Sequence, residues 1–226
     1  MDVRKIIDAI NEEDSKQIAS FFQKYPDQKR AYTFFAGKTW LGYAAGQGKI
    51  AAVRSLVMAG LDVNQGCKRD NVNPICDAAQ GHLDIVQYLL GCGAKLDVST
   101  PLTNPLFWAV RHWEQADDTE IVLLLLKAGI DCTVKYKYKS RTKNKRDLDA
   151  IATAFLWGTP VKAGVIAAWN AKGNKSKIKN LLKDAMEAAD SHVANYKYGE
   201  KKLEEIAKKR MQSLDKAMES AFNLEF

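Results

Sequence analysis

The chain has few of the residues that build catalytic or metal centres. Among its 226 residues are four cysteines and three histidines. The cysteine spacings of 9, 16 and 40 residues fit neither a zinc-ligand pattern nor a dense disulfide framework, so we expect small buried side chains. A glycine-rich phosphate loop, G-x-S-x-G, H-E-x-x-H and a recognisable carboxylate pair are also missing. The sequence therefore predicts no enzyme, no metal and no cofactor.

Long hydrophobic runs are missing as well. No stretch of about 18 apolar residues occurs, which argues against a membrane-spanning helix. Charged residues interrupt the first segment, MDVRKIIDAINEED, so it does not look like a signal peptide. Because 46% of the residues are hydrophobic and 27% charged, the chain can bury a core. We expect a cytoplasmic protein with no membrane partner.

What the chain does have is an internal echo with a period of 33 residues. The segment GKIAAVRSLVMAGLDVN (residues 48–64) returns as GHLDIVQYLLGCGAKLD (residues 81–97), and its two outer glycines return as Gly81 and Gly93. In the second segment, apolar residues three and four apart indicate a helix with one buried face, and Gly93 suits its C-terminal end. A fixed period of this size predicts stacked units.

Both segments resemble the ankyrin repeat family, whose pattern runs roughly G-x-T-P-L-H-x-A-A-x-x-G-H-x-x-(I/V)-V-x-x-L-L-x-x-G-A-D-V-N. The first repeat has Trp40 in place of the proline, with Gly42 and Lys49 in place of the two histidines. Its matching positions are Gly37, Thr39, Leu41, Ala44, Ala45, Gly48, Val53, Leu56, Gly60, Asp62, Val63 and Asn64. The second matches at Pro74, Ile75, Ala78, Ala79, Gly81, His82, Ile85, Val86, Leu89, Leu90, Gly93 and Ala94. The resemblance implies an all-α solenoid that binds proteins through its concave face.

The same resemblance sets the domain boundaries. We expect an ankyrin repeat domain over 1–174 and a C-terminal helical extension over 175–226. Within the first, an N-terminal cap (1–36) precedes repeats at 37–64, 65–98, 99–132 and 133–174; the third has a swollen inter-helix turn and the fourth is degenerate. The helices of the extension could pack on the last repeat or could serve oligomerisation, and the pattern leaves both open.

Positive charge is concentrated in one finger. Residues 1–133 hold 14 Lys/Arg against 16 Asp/Glu, whereas VKYKYKSRTKNKR (residues 134–146) holds seven basic residues and no acid. Val134, Tyr136 and Tyr138 alternate with lysines, and turn residues follow, so we expect a β-hairpin finger. It could dock an acidic or phosphate-binding surface, or be a solvated loop.

The family resemblance also implies where a partner would bind: at the finger tips and at the ends of each repeat's first helix. Because Trp and Arg most often anchor interfaces, Trp113 and Trp157 are the leading hot-spot candidates. The candidate contact residues are Arg69, Arg111, His112, Trp113, Lys135, Tyr136, Lys137, Tyr138, Lys139, Arg141 and Trp157. The compact form resembles bacterial immunity proteins that occlude the active site of a toxin. An adaptor or host-directed effector is the alternative, and nucleic-acid binding through the hairpin is a weaker third.

Overall fold

A computed structural model describes residues 3–33, 37–111, 118–137, 147–193 and 200–224. The described residues form twelve α-helices and one short 3-10 helix, Pro26–Arg30. The helices are α1 (Val3–Asn11), α2 (Ser15–Lys24), α3 (Trp40–Gly46), α4 (Ile50–Met58), α5 (Pro74–Ala78), α6 (Leu83–Gly91), α7 (Pro105–Arg111), α8 (Glu120–Lys127), α9 (Ala150–Leu156), α10 (Pro160–Asn170), α11 (Lys175–Val193) and α12 (Glu200–Phe222). The chain divides into two compact units, Met1–Trp108 (unit 1) and Ala109–Phe226 (unit 2), and α7 spans the division.

Three helices of unit 1, α2, α3 and α5, begin where a short polar side chain caps free backbone N–H groups. The Asp14 carboxylate accepts from the N–H of Gln17, and Thr39 Oγ1 accepts from the N–H of Gly42. Asn73 plays the same part at α5, where Pro74 follows at a position that needs no N–H donor. Gly60 and Gly93 follow α4 and α6 with φ of 87° and 85°, which only glycine adopts readily. Local sequence therefore sets the helix ends that the echo predicts.

Side-chain hydrogen bonds join the helix pairs of unit 1. Glu13 Oε2 accepts from the N–H of Ala51 at 2.7 Å and so links the N-terminal helices to the start of α4. Asn64 lies between two repeats, donating to Gly93 O at 3.2 Å and accepting from the N–H of Lys95 at 2.7 Å. Each pair buries its apolar face against the next, as a stacked array requires.

In unit 2 the last two helices pack on the preceding helix pair. Helix α11 lies against α9, and α12 lies against α10. Helix α12 approaches α10 closely because Gly164, in α10, has no side chain. A Cβ at this position would collide with the carbonyl oxygen of Ala217 in α12. Ser220 Oγ also donates to Val161 O at 3.1 Å. Whether 175–226 is a separate extension stays a prediction.

The expected β-hairpin finger is not found among the described residues. Near its base, Tyr136 and Leu148 form an isolated antiparallel bridge, with N–H to O distances of 2.9 and 3.2 Å. Most of the predicted hairpin, residues 138–146, lies outside the described residues. At its base the structure has a single bridge where the prediction expected strands. A second isolated bridge joins Tyr32 and Thr39. The described part of the chain is all-α.

No helix in the described ranges is both long enough and apolar enough to cross a bilayer.

Candidate protein-binding surface

The first helix of each repeat is called the inner helix here, and one inner helix of unit 1, α5, carries a buried acid. Asp77 on α5 is 3% exposed and packs against the glycines of α3, the preceding inner helix. A Cβ at Gly42 would lie 2.8 Å from Asp77 Oδ2. The carboxylate therefore fills the space that a side chain at position 42, a histidine in the family pattern, would occupy.

A finger lysine neutralises this acid. Lys38 Nζ lies 2.7 Å from Asp77 Oδ1 and keeps about a third of its own side chain exposed. Burial raises the pKa of the Asp77 carboxyl to about 6, against the opposing effect of the Lys38 ammonium. Lys38 lies in the turn before α3, whereas the burial of Asp77 depends on a glycine in another repeat and has no local signal in the sequence.

Arg69 lies where the sequence placed it, in the turn before α5. Its side chain is 79% exposed, and its Nε lies 2.8 Å from Asp70 Oδ2. The Asp70 carboxylate raises the pKa of the Arg69 guanidinium. An ion pair between sequence neighbours whose arginine is largely exposed contributes little to stability, so the Arg69 side chain can exchange Asp70 for a partner group.

Unit 2 brings two candidate contact residues together. Arg111 ends α7, Trp157 follows α9, and the Arg111 guanidinium carbon lies 5.6 Å from the centroid of the Trp157 ring. Trp157 is 46% exposed despite this contact. The cation and the ring attract each other and hold a large aromatic surface at the protein boundary.

Local sequence explains why Trp157 stands outside the core. The Asp149 carboxylate caps the start of α9 by accepting from the N–H of Ala152 at 2.9 Å. Seven residues later the helix ends, and Gly158 takes a φ of 74°, which turns the chain at once. Trp157 is thus fixed at the helix C-terminus by a cap on one side and a glycine on the other.

At the base of the finger the predicted alternation is present, but it buries the tyrosine. Lys135 and Lys137 are exposed, whereas Tyr136 is 8% exposed and pairs with Leu148. Tyr136 therefore supports the finger base and offers little ring surface to a partner, and its role as a contact residue stays a prediction. Burial raises the pKa of the Asp149 carboxyl, and nearby Lys135 opposes that shift.

The remaining candidate residues cannot be placed. His112, Trp113, Tyr138, Lys139 and Arg141 lie outside the described residues.

Two polar residues of unit 2 that the sequence did not mark hold the end of α7. Thr159 Oγ1 donates to Val110 O at 2.9 Å, and Lys162 Nζ donates to Ala109 O at 2.9 Å. Lys162 is 3% exposed. Its ammonium suits the negative end of a helix, where carbonyl oxygens lack helical donors. These contacts fix the inner helix that presents Arg111.

The described residues show neither an activated thiol at Cys76 nor a metal cluster. Burial raises the pKa of the Cys76 thiol well above its usual value, which disfavours the thiolate that a nucleophile needs. Within the described ranges no three His, Cys, Asp or Glu side chains come together as a metal site.

Comparison with known families agrees with this geometry. The family model described as Ankyrin repeats (3 copies) matches residues 6–100 and 41–136, which together cover more than half of the chain. The chain therefore belongs to the ankyrin repeat family. Ankyrin repeats indicate a protein–protein interaction module, and such domains are typically non-catalytic. No curated protein matches the sequence.

Proposed function

We propose that the chain binds a protein partner through a surface on unit 2 made by Arg111, Trp157, Lys135 and Lys137. The observation that carries the proposal is the Arg111–Trp157 pair. Trp and Arg dominate interface hot spots, and a tryptophan held at 46% exposure by a cation loses little conformational freedom on binding. The exposed lysines at the finger base add positive charge that suits an acidic partner surface.

The proposal includes a fourth, divergent repeat over 133–174, beyond the reach of the family match. Its support is the contact made by Thr159, which takes the position of His82 in the second repeat. The His82 ring nitrogen lies 3.3 Å from Gly46 O, near the end of the preceding inner helix, as Thr159 Oγ1 lies near the end of α7. The toxin-immunity role suggested by resemblance has no support in these contacts, so the proposal is partner binding alone.

Quantitative affinity capture tests the proposal. The full chain, a Trp157→Ala variant and an Arg111→Ala variant are used as baits, and retained proteins are quantified by mass spectrometry. The matched control is Met58→Ala, because Met58 is 86% exposed on α4 in unit 1. We expect a partner that is retained by wild type and by the control but lost with Trp157→Ala.

With that partner purified, Trp157→Ala should weaken its affinity by about 30-fold, the effect of a hot-spot residue. Melting curves of each variant exclude unfolding as the cause. A partner whose affinity is unchanged by both Trp157→Ala and Arg111→Ala would show that this surface is not the binding site.

A further inference from the structure

A second basic segment, which we call the lysine band, lies at the start of α11. Residues 172–183 contain Lys172, Lys175, Lys177, Lys179 and Lys183, and no acid. All five side chains are exposed. None forms a salt bridge with any residue in the described ranges, although Lys175 Nζ lies 5.5 Å from the centroid of the Phe222 ring. Lys175, Lys179 and Lys183, at four-residue spacing, therefore share one side of α11 as a row of positive charge without an ion-pair partner in the described ranges.

This charge placement works against the helix that carries it. A helix favours acids in its first turn and bases in its last, yet the first turn of α11 has no acid and begins with lysines. The acids Asp184, Glu187 and Asp190 come afterwards. Lysines 175, 179 and 183 also lie four residues apart, where like charges repel. Solubility alone requires no such arrangement, because mixed charges serve it as well.

The chemistry of the band favours phosphate over a protein surface. The exposed residues between the lysines are polar and small: Asn174, Ser176 and Asn180. Protein interfaces are depleted in lysine and serine and enriched in aromatic residues and arginine. Contacts to a nucleic-acid backbone instead use lysine, serine and asparagine side chains together with helix N-termini.

The length of the band fits one strand of a duplex. Residues 175 to 183 rise about 12 Å along the helix, a distance that covers three or four phosphates at ~3.4 Å per phosphate. The side chains between the lysines include no aromatic on which an unpaired base could stack. Unit 2 as a whole holds 22 of the 34 Lys/Arg of the chain and 16 of its 27 Asp/Glu; without the five band lysines it is nearly neutral, so the positive charge here belongs to the band itself.

We propose that the lysine band binds the phosphate backbone of double-stranded nucleic acid, without reading its sequence. The contact is separate from the Arg111–Trp157 surface and does not depend on the protein partner. When the lysines neutralise phosphates, cations condensed on the duplex are released and the repulsion between the lysines is relieved, so both effects favour the complex.

The test uses the full chain and a fluorescein-labelled duplex DNA of arbitrary sequence, about 20 base pairs long, followed by anisotropy at ~50 and ~150 mM salt. The variant is Lys175→Gln/Lys179→Gln/Lys183→Gln. It should weaken binding at least about tenfold at the lower salt, and reduce the slope of log affinity against log salt by about 2 to 3. A single strand of equal length should bind less tightly than the duplex.

The matched control removes three exposed lysines from α1 and α2 of unit 1, as Lys5→Gln/Lys16→Gln/Lys24→Gln. It changes the net charge equally and should alter affinity by less than about twofold. The band variant should melt no lower than wild type, since its substitutions remove repulsion.

Three results would overturn the proposal. The first is no binding of wild type to the duplex at ~50 mM salt. The second is equal weakening by the control, which would mean that net charge alone is responsible. The third is tighter binding to a poly-glutamate peptide than to the duplex, which would assign the band to an acidic protein.

Discussion

Among the described residues, units 1 and 2 each bury one charged side chain, and the two have opposite signs. In unit 1 the charge is the Asp77 carboxylate, neutralised by the partly exposed Lys38 ammonium. In unit 2 it is the Lys162 ammonium, which lies at a core position of α10 and donates to the backbone of α7. The Asp77 carboxylate can bind a proton while it stays buried, whereas the Lys162 ammonium is bound to the C-terminal end of α7. Unit 1 is therefore the more adaptable to pH, and unit 2 the more dependent on one side chain.

The net charges of the two units differ in the same direction as their buried charges, because unit 2 is the more positive. Unit 1 holds 12 Lys/Arg against 11 Asp/Glu, whereas unit 2 holds 22 against 16. The regular repeats are thus nearly neutral, and the irregular ones carry the positive charge. Departures from the repeat pattern coincide with the residues proposed for function, as expected where local rules are broken for binding.

Removing the buried cation of unit 2 should have the largest effect. Lys162→Ala leaves a cavity and removes the hydrogen bond to Ala109 O, so we expect a loss of about 2–4 kcal/mol in the free energy of unfolding. Urea denaturation measures it. Ile85→Ala, at the corresponding position of α6, provides a purely apolar comparison. A loss below ~0.5 kcal/mol, as at an ordinary surface site, would mean that Lys162 does not hold α7.

The buried acid of unit 1 should show itself in the pH dependence of stability. Because the pKa of Asp77 is about 6 in the folded protein against 3.8 ordinarily, the folded state binds the proton more tightly. That contribution is complete below the ordinary pKa and is lost as pH rises through about 6. Relative to wild type, Asp77→Asn should gain about 2–3 kcal/mol in stability between pH ~4 and ~7. Parallel denaturation curves at each pH, with a constant difference, would contradict the burial of Asp77.

The glycine beside Asp77 should not tolerate a methyl group. Gly42→Ala places a Cβ 2.8 Å from Asp77 Oδ2, so we expect a loss of about 1–3 kcal/mol in spite of the better helix propensity of alanine. The control is Gly91→Ala in α6, where a Cβ meets nothing within 4 Å and a gain of up to about 1 kcal/mol is expected. Thermal melts compare the two. Adding Asp77→Ala to Gly42→Ala should restore part of the loss, and no restoration would argue against the steric cause.

The smallest effects should come from the two residues that share a position in units 1 and 2. Thr159→Val removes the hydroxyl that donates to Val110 O, and His82→Ala removes the ring near Gly46 O. Each should cost about 1–2 kcal/mol, measured by urea denaturation. Unequal costs, with one variant neutral, would mean that the shared position does not hold the preceding inner helix in both units.

Local features of this fold could be predicted from the sequence. The capping role of Asp14, the proline at the start of α5 and the positive φ of Gly60 and Gly93 all follow from residues within one helix turn. Of these features, the two glycines recur with the 33-residue echo, whereas Asp14 precedes the repeats and Trp40 stands where the first repeat would have its proline. The exposure of Trp157 also followed, because it comes directly after an inner helix.

Long-range features could not be predicted. The burial of Asp77 depends on Gly42, 35 residues earlier, and the burial of Tyr136 depends on its bridge to Leu148. The lysine band does not show in the net charge of 175–226, because later acids nearly balance its lysines. The signal in the sequence is the order of charges along α11, because lysines at the start of a helix oppose its dipole.

The uncovered backbone of Gly164 has a consequence for engineering. Repeat arrays are attractive scaffolds because copies can be added at either end, each new outer helix packing through side chains. Here α12 packs directly on the backbone of α10, so position 164 accepts no side chain larger than that of glycine. Extending the array beyond α10 would require deleting α12 and giving position 164 a side chain again. The side chain that position 164 lacks thus limits how the array can be extended past α10.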